Sequence, residues 1–217
     1  GAAHAGLNAA TRMIGVLDID AGNLRSVVNT VDQGGFDVRV VDNGRDLEAL
    51  SHLIIPGVGH YGAASRHLHQ LQLVRPIMEF AASGRPLLGL CVGMQLLATE
   101  GTEGGTFPGL GLVPGAVVRI PDAPGVRIPH IGWNTVTFCA GHPVFKGVKN
   151  DRDFYFAHSF HLQVDKVESR LATTDYHAPL TAIVGRGNVL GFQFHPEKSQ
   201  LNGRRLIENF CSWDGRC

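Results

Sequence analysis

The sequence has few cysteines, no long apolar run and no excess of charge of either sign. Its four cysteines form no C-x-x-C pair and show no disulfide-like spacing, which predicts reduced thiols in a cytoplasmic protein. No apolar run reaches the roughly 18 residues that span a bilayer, so we expect no association with membranes. Basic and acidic residues number 19 each, which gives no electrostatic basis for binding nucleic acid.

Motifs that bind metals or nucleotides are missing as well. The histidines show no H-E-x-x-H spacing and the cysteines are scattered, so no metal site is predicted. The sequence also contains no glycine-rich phosphate loop. We therefore expect no cofactor.

The residues that are present indicate one folded domain. Hydrophobic residues make up 44% and charged residues 18% of the 217, and this length suffices for a single α/β domain with a large core. Residues 1–12 lack the apolar core of a signal peptide, so we interpret them as an N-terminal extension or tag remnant. Residues 13–217 are then a single domain that begins at Met13.

Hydrophobic periodicity predicts strands that alternate with helices in the first half of the chain. Strands are predicted at residues 13–18, 37–41, 52–55, 87–90, 154–161 and 189–194. Helices are predicted at residues 23–33, 45–50, 61–71, 73–82 and 203–213. This order favours an α/β fold with a mainly parallel central sheet flanked by helices. Residues 111–137 predict an appended antiparallel region, and residues 100–109 a surface loop.

A nucleophile elbow is indicated at Cys91. The cysteine follows the short apolar strand 87–90 and precedes an apolar stretch, 94–98, that predicts the opening of a helix. Gly89 and Gly93 flank it, and glycine fits where a sharp strand-to-helix turn crowds the backbone. A helix N-terminus would also favour a thiolate over a thiol. A cysteine between glycines is equally compatible with a small buried apolar side chain.

A second polar pair follows the predicted strand near the C-terminus. His195 and Glu197 are two residues apart, and in an extended segment this spacing points both side chains the same way. A carboxylate in that position can hold an imidazole in one tautomer while the imidazole exchanges a proton with a thiol. Together the two motifs predict a thiol nucleophile with its base at adjacent strand ends.

The two motifs resemble those of the class I glutamine amidotransferases, in which a Cys-His-Glu triad hydrolyses glutamine to glutamate and ammonia. The resemblance rests on GLCVGMQ at 89–95 and FHPE at 194–197, and it extends from Met13 to about Phe210. Further segments are similar to one subfamily, whose glutaminase supplies ammonia to a cyclase subunit in histidine biosynthesis. They read GNLRS at 22–26, PGVG at 56–59, PHIGWN at 129–134 and FHPEKS at 194–199.

The resemblance implies a role for each matching residue. It implies a catalytic triad of Cys91, His195 and Glu197. An oxyanion hole would come from the backbone N–H of Val58 or Gly59 together with that of Val92. The implied substrate-binding residues are Gly57, Gln95, Glu103, Ser159 and Phe160. The implied contacts with a cyclase partner, in a heterodimer, are Asn23, Trp133, Asn134 and Lys198.

Residues 18–22 depart from this pattern. They read Asp-Ile-Asp-Ala-Gly, whereas the resembled proteins have tyrosine and glycine after the first aspartate. The change adds a carboxylate and removes an aromatic ring near the implied interface. It leaves the partner contacts of this loop open and does not touch the triad.

Four alternatives to this interpretation differ in partner or in class. Another class I glutaminase would feed anthranilate, aminodeoxychorismate, GMP or pyridoxal phosphate synthesis, but these usually have other residues in the 56–59 loop. A paralogue that serves surface-sugar amidination would share nearly every motif. A non-catalytic regulatory subunit would retain the site without turnover. An α/β-hydrolase usually places its acid well before its histidine, whereas Glu197 follows His195 here.

Overall fold

The computed structural model describes residues 12–20 and 22–217. The predicted N-terminal extension therefore lies outside the described residues, except for Arg12. So does Ala21 of the divergent loop.

Short strands make up much of the described chain. They are β1 (Met13–Leu17), β2 (Asp37–Val41), β3 (His52–Ile55), β4 (Leu87–Leu90), β5 (Glu100–Gly101), β6 (Phe107–Pro108), β7 (Gly115–Arg119), β8 (His130–Phe138), β9 (Arg152–His158), β10 (Phe160–Val164), β11 (Arg170–Tyr176), β12 (Ala178–Arg186) and β13 (Val189–Phe192). The α-helices are α1 (Leu24–Gln33), α2 (Tyr61–Gln70), α3 (Val74–Ala82), α4 (Val92–Gln95) and α5 (Gln200–Ser212). Short 3₁₀ turns occupy Arg45–Ala49, Pro143–Phe145, Val167–Ser169 and Pro196–Lys198.

Within the described ranges, nine strands form one mixed sheet in the order β2-β1-β3-β4-β13-β12-β11-β8-β9. The first five are parallel to one another, and the pairs from β13 to β9 are antiparallel. This confirms the predicted parallel sheet with an antiparallel extension. A second sheet has the order β10-β7-β5-β6.

The main sheet is packed on both faces by helices with one apolar side. On one face α1 and α5 bury Val27, Val31, Leu206 and Phe210 together with β-strand residues such as Leu88. On the other face, α2 and α3 bury Leu68, Ile77 and Phe80 together with strand residues such as Leu87. Full burial of such side chains stabilises the fold by about 1.5–3 kcal/mol each.

The register of β4 and β13 places the candidate site. Leu88 pairs with Leu190 and Gly89 with Gly191, so the carboxyl ends of both strands meet at one edge of the sheet. The Cys91 N–H then donates to the Phe192 carbonyl at 2.8 Å. The two predicted motifs are thereby adjacent although about a hundred residues separate them.

Two elements differ from the prediction in ways that affect the site. The predicted helix over 94–98 is instead the single turn α4, which begins at Val92. It ends early because the carbonyls of Leu96, Leu97 and Ala98 accept hydrogen bonds from the segment 110–113. The predicted strand 154–161 is two strands: β9 belongs to the main sheet and β10 to the second. They separate at Ser159, whose carbonyl accepts from the N–H of Ile120.

Three smaller differences concern the bounds and pairing of single elements. The predicted loop 100–109 contains the two-residue strands β5 and β6, and α5 begins at Gln200 rather than at residue 203. Strand β7, predicted to extend the main sheet, pairs instead with β10 and β5 in the second sheet. Among the described residues, no helix combines the length and apolar character that crossing a membrane would need.

Candidate functional site

Cys91 occupies the turn between β4 and α4. Its backbone has φ +50° and ψ −109°, a conformation that non-glycine residues rarely adopt and that the surrounding structure must hold in place. A Cβ atom at Gly89 would overlap the Gly93 carbonyl, and one at Gly93 would overlap the carbonyl oxygen of Ile55 in β3. The two glycines are therefore required by the close approach of three backbone segments, and the turn projects the Cys91 side chain from the sheet edge.

His195 and Glu197 lie beside Cys91, beyond the end of β13. The His195 Nδ1 and the Glu197 Oε1 are 2.8 Å apart, and the two side chains are 2% and 1% exposed. Because an ionised carboxylate can only accept, Nδ1 carries a proton and Nε2 is directed away from Glu197. Cys91 is near enough to the His195 side chain to raise the pKa of the imidazole. Its backbone is fixed by a 2.8 Å hydrogen bond from the His195 N–H to the Tyr155 carbonyl in β9.

The charges of this pair stabilise each other. Burial disfavours the charged imidazole, but the hydrogen bonds to Cys91 and Glu197 and their negative charges outweigh it and raise the pKa of His195 to about 10. Burial also disfavours the charged carboxylate, yet the hydrogen bond and charge of His195 hold the pKa of Glu197 below its usual value. At neutral pH the pair is therefore an imidazolium and a carboxylate.

Asn23 is a member of the site that the sequence did not reveal. Its Nδ2 donates to the Glu197 Oε1 at 2.9 Å, and the residue is 3% exposed. The contact of Asn23 with a cyclase partner stays a prediction; in the structure its buried amide is bonded to Glu197. Asn23 and Glu197 are 174 residues apart, and no local pattern connects them.

A cavity of about 180 Å³ opens onto Cys91. Pockets for drug-sized ligands measure roughly 300–1,000 Å³, so this volume suits a smaller substrate. Its lining includes six residues predicted for the oxyanion hole or for substrate binding: Gly59, Val92, Gln95, Glu103, Ser159 and Phe160. The Glu103 carboxylate is held there by a 2.7 Å hydrogen bond that its Oε2 accepts from the Tyr61 N–H.

Gly57 and Val58 are not among the residues that line this cavity. Both line a neighbouring one of about 190 Å³ together with Ile19, Asp20 and His60. Gly57 is close to the elbow itself, because a Cβ there would lie 2.8 Å from the Gly93 nitrogen. The 56–59 loop thus separates the two cavities, with Gly59 on the side of Cys91.

The remaining predicted interface residues are Trp133, Asn134 and Lys198, and Trp133 is two residues along β8 from Ile131, which lines the cavity. Trp133 on β8 is 49% exposed and packs edge-on against Tyr155, with ring centroids 6.0 Å apart. Lys198 is exposed, with its Nζ 5.8 Å from the centre of the Tyr155 ring. Asn134 is only half-buried, and its amide donates to His130 and to the Asp175 carbonyl.

A larger groove of about 1,250 Å³ lies at the opposite end of the parallel strands, around Arg12, His52 and Trp213. Both ring nitrogens of His52 are already hydrogen-bonded, to Ser51 and to the Trp213 carbonyl. Burial lowers the pKa of His52 to about 4, so this imidazole is neutral. Nowhere in residues 12–20 or 22–217 do three or more His, Cys, Asp or Glu side chains group as a metal site.

Comparisons with known proteins match nearly the whole chain. The family described as glutamine amidotransferase class-I matches residues 16–212. The chain is 42% identical over 201 residues to imidazole glycerol phosphate synthase subunit HisH of Desulfitobacterium hafniense, covering 93% of this chain and 94% of that protein. It is 46% identical over 198 residues to subunit HisH of Lacticaseibacillus casei, covering 91% and 94%.

Solved structures share the fold. PurLQS from Thermotoga maritima superposes with a TM-score of 0.74 over 93% of this chain and 98% of that chain, at 18% sequence identity. At this identity the likeness concerns the fold alone.

Proposed function

Because the chain belongs to the class I glutamine amidotransferases, and within them to the HisH subunits of imidazole glycerol phosphate synthase, we propose that it hydrolyses L-glutamine and supplies the ammonia to a cyclase subunit. The cyclase would use that ammonia to make imidazole glycerol phosphate and AICAR in histidine biosynthesis. The observation that supports the glutaminase step best is the pairing of β4 with β13, which brings the Cys91 turn beside His195, whose Nδ1 is 2.8 Å from the Glu197 carboxylate.

The proposed reaction begins with attack of the Cys91 thiolate on the side-chain amide carbon of glutamine. The carbonyl electron pair moves to oxygen, which the backbone N–H groups of Gly59 and Val92 would stabilise. As the tetrahedral intermediate collapses, the C–N bond breaks and the His195 imidazolium gives its proton to the departing nitrogen. Ammonia leaves, and the glutamyl group remains on sulfur as a thioester.

Water completes the cycle. The neutral imidazole now takes a proton from a water molecule, which attacks the thioester carbonyl. Collapse of this second intermediate releases glutamate and restores the thiolate and imidazolium. Glu197 would keep the ring in one orientation and stabilise its positive charge at both stages.

The cavity lining supports glutamine as the substrate. We assign the α-amino group to the Glu103 carboxylate, and the α-carboxylate to the backbone at Ser159 and Phe160. The amide N–H₂ of Gln95 is used within the protein, by the Phe160 and Gln193 oxygens, which leaves the Gln95 Oε1 as the atom that would contact substrate.

Ammonia gives a chemical reason for a partner. In neutral water it is mostly protonated and is then no nucleophile, so direct transfer to a second active site preserves its reactivity. The surface of Trp133 and Lys198 beside the cavity supports docking of the cyclase there, in a cytoplasmic heterodimer. Val58 lies outside the Cys91 cavity, and in this proposal its N–H turns toward the oxyanion when the loaded cyclase binds.

Cys91→Ala tests the nucleophile directly. Glutamine turnover should fall to background in this variant, even with the cyclase and its ligand present, while the far-UV circular dichroism spectrum stays unchanged. A glutamine-like diazo-ketone should label Cys91 and spare the exposed Cys139 and Cys217. Wild-type turnover in Cys91→Ala, or labelling of another cysteine, would refute the assignment.

Coupling to the cyclase is tested by adding the partner. The isolated chain should hydrolyse glutamine slowly, and the cyclase with its ligand should accelerate it by about 10²–10³, the usual value of one oxyanion-hole donor. Full turnover by the chain alone, unchanged by the cyclase, would instead assign it to another glutaminase system.

A further inference from the structure

Among the residues that the structure describes, two groups lie within hydrogen-bond distance of the Cys91 sulfur, the Gln193 amide and, at 3.9 Å, the Ala157 carbonyl oxygen, and only the amide can donate to a thiolate. The side-chain Nε2 of Gln193 donates to the Cys91 Sγ at 3.8 Å. Gln193 lies between the end of β13 and His195, is 0% exposed and is anchored by a backbone hydrogen bond from its N–H to the Ala182 carbonyl. We propose that Gln193 is a further catalytic residue, whose amide N–H stabilises the Cys91 thiolate, and that Gln95 positions it.

This donor matters because the helix after Cys91 is short. Four residues, Val92–Gln95, form α4, so few peptide dipoles are aligned behind the sulfur. A buried anion without nearby donors is strongly disfavoured. A thiolate at Cys91, which is 3% exposed, would therefore depend on specific partners: the His195 imidazolium and the Gln193 amide.

The orientation of the Gln193 amide follows from the Phe160 carbonyl, to which it is connected through the Gln95 side chain. The backbone oxygen of Phe160 can only accept, so the Gln95 group 2.9 Å from it must be the N–H₂. The same Gln95 Nε2 donates its second proton to Gln193 over 3.2 Å, so the Gln193 atom that faces Gln95 is the acceptor Oε1. The Gln193 N–H₂ is then on the side of Cys91. A flipped Gln193 amide would bring two N–H₂ groups together and turn an oxygen toward the thiolate.

The Phe160 oxygen is held from a second direction as well. The His158 Nδ1 donates to it at 2.8 Å, and the His158 Nε2 lies 2.9 Å from the His130 Nδ1. Burial lowers the pKa of His158 to about 3, so the ring is neutral and its tautomer is set by the carbonyl it donates to. Two donors thus fix the acceptor that sets the direction of both glutamine amides.

The titratable groups around Cys91 come from several elements. His195 and, behind it, Glu197 follow β13; His158 ends β9; Glu103 comes from the loop after β5. Gln193 itself is uncharged at every pH and does not line the cavity. Its substitution therefore acts first on the sulfur, while Gln95 keeps its 2.9 Å hydrogen bond to the Phe160 carbonyl.

The pH dependence of Cys91 alkylation by iodoacetamide tests the proposal. Rates are followed by mass spectrometry of the Cys91 peptide on the full chain, with the exposed Cys139 as an internal reference. Gln193→Met keeps the side-chain length and removes the donor, and we expect the midpoint of the Cys91 profile to rise by about one pH unit. Gln193→Glu keeps the shape and adds an anion beside the sulfur, so its midpoint should rise further.

A buried polar residue elsewhere supplies the matched control. Thr174 on β11 is 1% exposed, and in the described part of the chain its hydroxyl has no hydrogen-bond partner. Thr174→Val should leave the Cys91 profile unchanged. Midpoints equal to wild type in folded Gln193→Met and Gln193→Glu would overturn the proposal, and so would equal shifts in all three variants, which would indicate a packing effect.

The role of Gln193 in turnover rests on the proposed function. With the cyclase and its ligand, Gln193→Met should lower kcat about tenfold and leave KM for glutamine within about twofold. Unchanged kcat together with a shifted alkylation midpoint would separate thiolate stabilisation by Gln193 from the proposed glutaminase mechanism. Gln193 would then stabilise the thiolate as inferred, and the glutaminase mechanism through Cys91 would be the part that fails.

Discussion

At the scale of single residues, one oxygen of Glu197 has two donors and the other has none. Oε1 accepts from both His195 and Asn23, whereas Oε2 is buried without a partner among the residues described. The carboxylate is therefore stabilised on one side only, by an imidazolium and an amide. Losing either donor should raise the pKa of Glu197 and leave the His195 ring less firmly oriented.

Glu197→Gln should lower the free energy of unfolding in a pH-dependent way. Because folding lowers the pKa of Glu197, its contribution to the free energy of unfolding is present above pH 4.5. That contribution is lost as the pH falls through the pKa of the folded state. The raised pKa of His195 makes its contribution full below 6.5 and lost as the pH rises through about 10. Between pH 4.5 and 6.5 the deficit of the variant should be largest, on the order of 3 kcal/mol.

Urea denaturation of the two proteins from pH 3 to pH 10 measures this deficit. In steady-state assays the same variant should lose orders of magnitude in kcat at nearly constant KM, because in the proposed mechanism Glu197 orients the base without touching substrate. A deficit that is independent of pH would show that Glu197 acts by packing, and a large rise in KM alone would make it a substrate ligand.

Asn23→Ala should lower kcat roughly tenfold and leave KM unchanged. The Asn23 amide supports the carboxylate that orients His195, and a hydrogen bond to a charged group contributes about 1.5–3 kcal/mol. Steady-state kinetics with saturating cyclase measures the effect. Asn43→Ala is the control, since the exposed Asn43 bonds only within its own loop. Weaker binding of the cyclase at unchanged kcat would contradict this role and support the predicted contact of Asn23 with the cyclase.

At the scale of elements, the elbow depends on three backbone segments in contact. Gly93→Ala would force a Cβ into the Ile55 carbonyl, so we expect a loss of about 1–3 kcal/mol or more in unfolding free energy and loss of turnover. Gly141→Ala is the matched control, because a Cβ there meets no atom within 4 Å and should change the melting temperature little. Equal melting temperatures for both variants would contradict the close approach.

Gly57 in the oxyanion loop also lies close to the elbow, which limits the use of a Gly57 substitution as a test of loop movement. A Cβ at this position would lie 3.0 Å from the Val92 Cβ as well as close to the Gly93 nitrogen. Gly57→Val therefore disturbs the elbow together with the oxyanion loop, and it is no clean test of loop movement alone.

The elements differ in how far sequence determines them. The parallel strands and flanking helices could be predicted, because their apolar periodicity is a local property that tertiary packing reinforces. The length of α4 could not, since the segment 110–113 captures the carbonyls that would have continued the helix. The division of β9 from β10 was hidden too, because aromatic alternation runs unbroken through a change of sheet.

The candidate site shows the same limit. The positions of Cys91, His195 and Glu197 could be predicted because each motif includes its own strand end. Asn23 and Gln193 could not be placed, because their functional contacts join segments distant in sequence, and an amide side chain has no distinctive spacing. Burial and hydrogen-bond direction, which only the fold supplies, identify both.

At the scale of the whole molecule, Trp133 and Lys198 both lie against the Tyr155 ring, with Trp133 on the strand that also lines the cavity. Lys198→Glu should weaken binding of the cyclase about tenfold, mainly through slower association, because it reverses a charge at the rim of the proposed interface. Titration calorimetry at two salt concentrations measures this loss, which should shrink at high salt.

Lys166→Glu is the control for net charge, since the exposed Lys166 follows β10 at its end remote from Phe160. It should bind the cyclase as the wild type does. Equal losses in both lysine variants would mean that overall charge, and not this surface, governs assembly.

The position of β13 also determines when the protein can become active. This strand lies between β4 and β12 in the middle of the main sheet, yet it is the last strand along the chain. On the ribosome, β4 and β12 emerge with an unpaired edge each, and such edges are open to other chains until the final strand inserts. The same insertion brings His195 to Cys91. In the proposed mechanism, a nascent chain that has not reached residue 195 releases no ammonia, and activity appears only as the two halves of the sheet are joined.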